Sequence, residues 1–364
     1  MTPIRSIQPS RPIFLNGKFY LGVLNGVHRV ADCLVRALDE RISARPPEQR
    51  PAITLLLPRD CPRPEGLQTI EIVSPPGGRT QLWEQTALAW TARSGVLVSL
   101  CNLGPLAHPR QITLIHDAQF WLPEQSYPLK QRWGYRLLIP LVGHTSRRVL
   151  TVSRASRQQL ELTRIVRPGR TGVIYNGGDH VVQVPAAPDA LARFGLKPGG
   201  YALLFGSTKT YKNLEVIRAA MEDGMLGGVP LVIVGHDINF GGFDGAICTG
   251  AIDDGILRGL YEGATCLLFP SRTEGFGLPP VEAMLLGCPV VAAPAGALPE
   301  ICRDAVLYAD VDDPTAWGKA VRALASDPEL RAAKIAAGRE RAAHFTWGQA
   351  ADRLLDEAET MALS

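Results

Sequence analysis

Ten short apolar runs, with little polar alternation inside them, constrain the fold of this chain more than any other feature. The first half holds AITLLLP, GVLVSLCN, QITLIHD, RRVLTVS and TGVIYNG; the second holds YALLFGS, PLVIVGH, ATCLLFPS, CPVVAAP and AVLYAD. Runs of this kind read as strands buried on both faces, the condition of parallel sheets covered by helices. The stretches 25–41, 130–142, 153–163, 212–222 and 253–263 between them have the apolar spacing of amphipathic helices, and 314–325 and 328–344 follow the last run in the same style. The expected class is α/β with two successive βα layers, and 364 residues are enough for two cores.

The join falls in DHVVQVPAAPDALARFGLKPGG, Asp179 to Gly200, which is rich in proline and ends in a Pro-Gly-Gly turn ahead of a new first strand. This places a first domain at 1–180, a linker at 181–198, a second domain at 199–345 and a terminal helix at 346–364. No run of about 18 apolar residues is present to span a bilayer. The start, MTPIRSIQPSRPIFLNGKFY, lacks the apolar core of a secretory signal, so the expected location is the cytosol.

Seven cysteines scattered singly read as reduced thiols, and the seven histidines form no close pairs, so no protein-held metal is expected. The net charge of +3 hides an asymmetry: residues 1–180 carry 23 Lys+Arg against 12 Asp+Glu, and the remainder 15 against 23. A basic first half suits either solvated surface arginines or an anionic partner: nucleic acid, a phosphorylated acceptor or an acidic bilayer. Arg132, Arg136, Arg147, Arg148, Arg154 and Arg157 cluster around two predicted helices with Trp133 and Tyr135 among them, and no nucleic-acid motif accompanies them. Neither G-x-G-x-x-G after the first strand of either half nor G-x-x-x-x-G-K-[ST] occurs, which removes the usual support for a nicotinamide enzyme or a P-loop motor. Asp310-Val311-Asp312 spells D-x-D but follows AVLY and reads as the end of a strand.

The chemistry concentrates in PSRTEGFGLPPVEAMLLGCPVV, Pro270 to Val291. In open α/β sheets ligands gather beyond the carboxyl ends of strands. CLLFP is such a strand, 271–277 its loop, and Pro279 with Pro280 the start of a helix. Gly275 and Gly277 let backbone approach a ligand, and free N–H groups at a helix start suit an anion. Glu282, in the first turn, either caps the helix or accepts two hydrogen bonds from a vicinal diol such as ribose; Glu274 is either solvated or aimed into the same crevice. A diol at one end, phosphates between and a polyhydroxylated group at the other end is the layout of a nucleotide sugar.

The longer passage TGAIDDGILRGLYEGATCLLFPSRTEGFGLPPVEAMLLGCPVVAAPAGALPEI closely resembles the donor half of retaining GT-B glycosyltransferases of family four, whose E-x7-E signature lies inside EGFGLPPVEAM. The resemblance covers most of the chain and weakens at 42–95 and in the linker. It implies two facing Rossmann-like domains across a deep cleft, the first for acceptor and the second for donor, with the terminal helix crossing back to the first. It implies that Glu274 meets the donor sugar, that Glu282 holds the ribose, and that Gly275, Phe276, Gly277 and Leu278 contact the donor. GSTKTYKNLEVIRAA resembles the family's phosphate-binding segment, in which Lys212 meets charge growing on the leaving diphosphate. Ser207 and Tyr211 stand where relatives carry arginine, and Lys209 is the candidate second cation. QITLIHDAQFW resembles the segment whose histidine approaches the reaction centre, so His116 is expected to donate to a sugar hydroxyl or the leaving oxygen. LNGVHRVADCLVRAL resembles a turn and helix facing the donor phosphates, with Gly26 as a point of backbone approach or a plain turn, and with Asn25, His28 and Arg29 on the acceptor side.

The implied activity is retaining, metal-independent transfer of a hexosyl group from a nucleotide-diphosphate sugar, GDP- or UDP-linked, to a saccharide or lipid-diphosphate acceptor in bacterial polysaccharide biosynthesis. No cofactor and no nucleic acid are implied; peripheral contact with the anionic inner face of the plasma membrane is. The alternatives are a nucleotide-sugar epimerase or hydrolase on the same architecture, or a non-catalytic sugar-nucleotide binding subunit.

Overall fold

The structure is a computed structural model that describes residues 11–22, 26–121, 129–235 and 243–364; Asn25 lies outside them. The first half builds one parallel sheet from β1 (Ile13–Asn16), β2 (Ile53–Leu56), β3 (Glu71–Val73), β4 (Val96–Ser99), β5 (Gln111–Leu114), β6 (Arg148–Thr151) and β7 (Thr171–Val173), in the order β3-β2-β1-β4-β5-β6-β7. The second half builds another from β8 (Ala202–Phe205), β9 (Leu231–Val234), β10 (Ile247–Cys248), β11 (Cys266–Phe269), β12 (Val290–Ala292) and β13 (Leu307–Tyr308), in the order β10-β9-β8-β11-β12-β13. In each sheet the order reverses beside the first strand, between β1 and β4 and between β8 and β11, and such a reversal opens a crevice at the carboxyl ends of the strands.

Every apolar run read from the sequence contains a strand, and three strands were not read. β1 is only four residues between Pro12 and Gly17, yet all four are buried and it pairs with both β2 and β4. β3 has two exposed residues of three, and β10 has two residues, so neither carries an apolar signal. The stretch 81–94 is helical throughout and was also not read.

Five helices begin at a side-chain cap. Ser153, Asp253, Asp313, Asp327 and Thr346 each accept from a backbone N–H two or three residues on, and Pro314 and Pro328 follow two of the caps. The Trp347–Leu363 helix packs on the Gly26–Ser43 helix of the first domain. Arg45–Glu359, Arg148–Glu357 and Arg41–Asp352 ion pairs border that contact. Exposed pairs of this type contribute about 0–1 kcal/mol each. Buried Leu354, Leu355 and Met361 do more, at roughly 1.5–3 kcal/mol per fully buried side chain.

Candidate active site

Gly277 adopts φ +93°, and the helix that follows spans Leu278–Leu285. It starts one residue before Pro279, so Glu282 opens its second turn, which corrects the first-turn position expected from the sequence. The expected anion nest is reduced as well. Pro279 and Pro280 have no N–H and the Val281 N–H donates to the Gly277 carbonyl at 3.4 Å, so Leu278 alone in that turn has an amide to offer. Positive charge for a diphosphate must come from side chains.

Those side chains are present. Lys212 ends a short turn, Thr210–Lys212, which closes on Asn213 at φ 54°. Its ammonium lies 2.7 Å from Glu274 Oε1 and over the rings of Phe269 and Tyr211. Lys209 faces the same place: burial first, then the Lys212 charge, pulls its ammonium below the usual lysine range, while Asp117 and Glu274 oppose this. The Glu274 main chain is fixed by the next loop, where Ala297 N–H donates to the Glu274 carbonyl at 3.0 Å. Gly296 sits so close that any Cβ there would lie 2.4 Å from Glu274 N.

The first domain meets this loop directly. Gly275 presses against the His116 carbonyl, with room for a Cβ only at 2.9 Å from that oxygen. Its own carbonyl accepts from Ser153 Oγ at 2.6 Å and Ser156 Oγ at 3.0 Å. Glu300 reaches back to accept the N–H groups of Arg154 and Ala155 at 3.0 and 2.9 Å, capping the Arg154–Leu162 helix from the other domain. The glycine corner is thus a joint between domains.

His116 sits at this joint, 5% exposed, and cannot act as expected. Its Nε2 lies 2.8 Å from the Leu100 carbonyl, which only accepts, so the ring proton is committed there. Burial holds the imidazole neutral, pushing it down to about 4. At neutral pH only the Nδ1 lone pair remains, which can accept from a sugar hydroxyl but donate to nothing. The neighbouring Asp117 carries the more unusual ionisation: burial, reinforced by Glu274, pushes its carboxyl up to about 6 against the pull of Lys209 and Lys212.

Glu282 lines a separate cavity of about 230 Å³ together with Gly26, Arg29, His180, Asp254, Tyr261 and apolar side chains of the linker and the second domain. Tyr261 donates its hydroxyl to Glu282 Oε2 at 3.0 Å; burial, then the Glu282 charge, raises this phenol well above its ordinary range. Arg29, expected on the acceptor side, instead spans the cleft to Asp254 with two contacts of 2.9 Å. His28 lies on another cavity, with Asn16, Lys18, Glu84 and Leu100. The structure therefore brings Lys209, Lys212, Glu274, Gly275 and His116 to one joint and Gly26 and Glu282 to one cavity. Asp117, His180, Tyr261 and Asp254 are not among the residues the sequence reading expects at the site. Asp310 and Asp312 lie in a turn after β13, where Asp310 accepts the Asp312 N–H and Asp312 pairs with Arg272.

Two parallel sheets facing each other with a site at their joint define the GT-B class. A sucrose-phosphate synthase from Thermosynechococcus elongatus superposes with a TM-score of 0.72 at 19% identity, covering 97% of this chain and all of that one. HepE from Anabaena, solved with UDP and glucose, gives 0.70 at 17% identity, with 96% and 100% covered. Residues 197–341 match the family model for glycosyl transferases group 1. The O-antigen chain mannosyltransferase B of Escherichia coli is 30% identical over 262 residues, 65% of this chain and 67% of its own. A D-inositol 3-phosphate glycosyltransferase of Salinispora arenicola is 30% identical over 307 residues, 67% of each chain. The protein belongs to the group 1 glycosyltransferases.

Proposed function

We propose that the protein transfers a sugar from a nucleoside diphosphate to an acceptor hydroxyl with retention at the anomeric carbon. One observation carries this reading. A single strand–loop–helix unit carries Glu274, paired with Lys212 at the domain joint, and Glu282, which lines a cavity of its own, so one segment offers a cation-paired carboxylate and a second carboxylate, the polar groups a nucleotide sugar calls for. Before donor binds, Lys212 and Glu274 neutralise each other. The diphosphate takes over Lys212, with Lys209 beside it, and frees Glu274 for the hydroxyls of the transferred sugar, while Glu282 accepts the ribose diol. The bond from the anomeric carbon to the leaving phosphate oxygen breaks as the acceptor oxygen forms its bond on the same face, and the acceptor proton passes to that phosphate oxygen. Lysine ammonium groups fixed in a shielded joint stabilise the departing charge more than the ground state, so no metal is required. His116 accepts from a sugar hydroxyl through Nδ1.

The HepE structures contain UDP or UDP-glucose, which supports a nucleotide-sugar donor here. The O-antigen chain mannosyltransferase relative supports a growing saccharide chain as acceptor. Among the described residues no helix is long and apolar enough to cross a membrane. The Leu129–Thr145 helix does expose Trp133, Leu137 and Leu141 along one face, with Arg132 and Arg136 beside them, which supports peripheral contact with an anionic bilayer.

The test is incubation with UDP- and GDP-sugars, with and without saccharide and lipid-diphosphate acceptors, in the presence of a chelator. Transfer with the donor's anomeric configuration in the new bond, read by NMR, is the expected result. Inversion, or loss of activity to the chelator, overturns the mechanism. Acceptor-independent turnover would instead identify a hydrolase or epimerase, and binding without turnover a non-catalytic subunit.

A further inference from the structure

Glu282 is approached from two sides by groups that take no part in sugar transfer. On one side is the Tyr261 hydroxyl, 3.0 Å from Oε2. On the other is His180, whose tautomer can be read from its neighbour. Trp347 Nε1–H lies 3.1 Å from His180 Nδ1, and an indole N–H only donates, so Nδ1 must offer its lone pair and the ring proton of the neutral imidazole is on Nε2. That Nε2 lies 3.2 Å from Glu282 Oε1. It is not aligned as a hydrogen bond, and it is buried without another partner among the described residues. A buried donor left in this state is costly, so it is poised for the Glu282 carboxylate beside it.

We propose that His180 is a positioning residue for the nucleoside diol. When the diol engages Glu282, the carboxylate turns into line with His180 Nε2–H. Each oxygen then has one acceptor site filled by protein, Oε1 by His180 and Oε2 by Tyr261, and the two remaining sites face the two diol hydroxyls. Trp347 holds the tautomer that makes this work; the opposite tautomer would set a lone pair against the carboxylate. The inference rests on the reading of Glu282 as the ribose ligand.

The location gives the contact a second consequence. His180 opens the His180–Gln183 turn of helix between the sheets, and Trp347 opens the terminal helix that packs on the first domain. The two are locked together by the Trp347 N–H on Asp179 Oδ1 at 2.7 Å, and by Gly177, where a Cβ would lie 2.2 Å from Trp347 N. The grip on the diol therefore depends on how the terminal helix seats against the chain between the domains.

The test is calorimetric titration of the full chain with UDP and GDP and with their 2′-deoxy forms. The wild type should prefer the ribose form of whichever diphosphate it binds. His180→Phe keeps a ring of similar size without nitrogen, and should weaken the ribose form about tenfold while moving the deoxy form less than about threefold. His180→Gln, which can accept from Trp347 and donate to Glu282, should restore most of the loss, and Trp347→Phe should weaken the ribose form alone. A purely structural role would move both nucleotide forms alike and would show no rescue by glutamine, and that result overturns the proposal. A wild type that binds ribose and deoxy forms equally, or binds neither diphosphate, overturns the Glu282 reading first and the His180 role with it. Should His180→Phe fail to fold, His180→Gln and Trp347→Phe carry the same comparison.

Discussion

The two domains hold their shares of the site in opposite ways. In the second, Glu274, Gly275, Gly277 and Glu282 belong to one continuous segment fixed by its own main chain and by the Gly296–Ala297 loop. In the first, Gly26 and Arg29, His116 and Asp117, and Ser153 and Ser156 come from three separate places. Those residues touch the second domain through Asp254, Gly275 or a shared cavity. On the proposed function, the second domain thus carries a preformed recognition unit, and the first contributes by where it sits. Substitutions in the segment should alter chemistry at any domain setting; substitutions in the first domain's contacts should alter the setting.

The largest effect expected is at Lys212. Lys212→Ala removes the cation that the proposed function assigns to the departing phosphate and leaves Glu274, with its side chain only 11% exposed, without the partner 2.7 Å away. Loss of one preorganised charge of this kind lowers kcat by about 100- to 1,000-fold. Steady-state kinetics on the folded variant checks it, and full activity would remove Lys212 from the mechanism.

Gly275→Ala asks whether the joint itself matters. The added Cβ would lie 2.9 Å from the His116 carbonyl and 3.1 Å from Asp117 Cβ, both in the other domain, so the domains must part slightly while the donor segment keeps its shape. Crowding of this size costs about 1–3 kcal/mol, which in closure translates to a loss in kcat of roughly 10- to 100-fold with nucleoside diphosphate affinity nearly unchanged. A variant that loses donor affinity and kcat equally would erase the distinction between the two domains.

The same contrast explains what could be read in advance. The donor segment was legible because its glutamates, glycines and prolines are adjacent in sequence, and because apolar runs such as CLLFP mark the strand that positions them. Its N–H supply was misjudged because proline was read as a helix starter without counting the donors it removes. The first domain's roles were less legible because they depend on distant partners. The proton of His116 is committed to a carbonyl 16 residues earlier in sequence, and Arg29 meets Asp254 across 225 residues. Neither separation leaves a periodic signal. β1, the strand between β2 and β4, was missed for a related reason: four buried residues after a proline are too few to stand out.

A smaller effect is expected in the pH dependence of stability. Asp117 titrates at about 6 in the folded chain against an ordinary 3.8, so the unfolded chain loses this proton first as pH rises. Stability falls between about pH 4 and 6, and the penalty is fully present above 6. Asp117→Asn keeps an acceptor for the Gln119 N–H and removes the charge, so it should be more stable than wild type above pH 6 by up to about 3 kcal/mol and indistinguishable below pH 4. Urea titrations across this range decide it, and a difference that persists at low pH would mean that the charge is not the cause. His116, held neutral down to about 4, should contribute no titration near pH 6.5.

The smallest effect in stability belongs to Arg29 and Asp254, although their ion pair ties the first domain to the rim of the Glu282 cavity. Their hydrogen bonds raise the arginine and lower the carboxyl, which is favourable in direction. With side chains 34% and 46% exposed, however, solvent screens most of it, and the pair should be worth about 0.2–1 kcal/mol in a double-mutant cycle. The informative readout is therefore the salt dependence of donor affinity. If the pair helps to hold the domains around the nucleoside, rising ionic strength should weaken donor binding in wild type more than in Arg29→Ala. Equal slopes would mean that the pair spans the cleft without influencing its closure, and that the serine contacts with Gly275 set the relation between the domains.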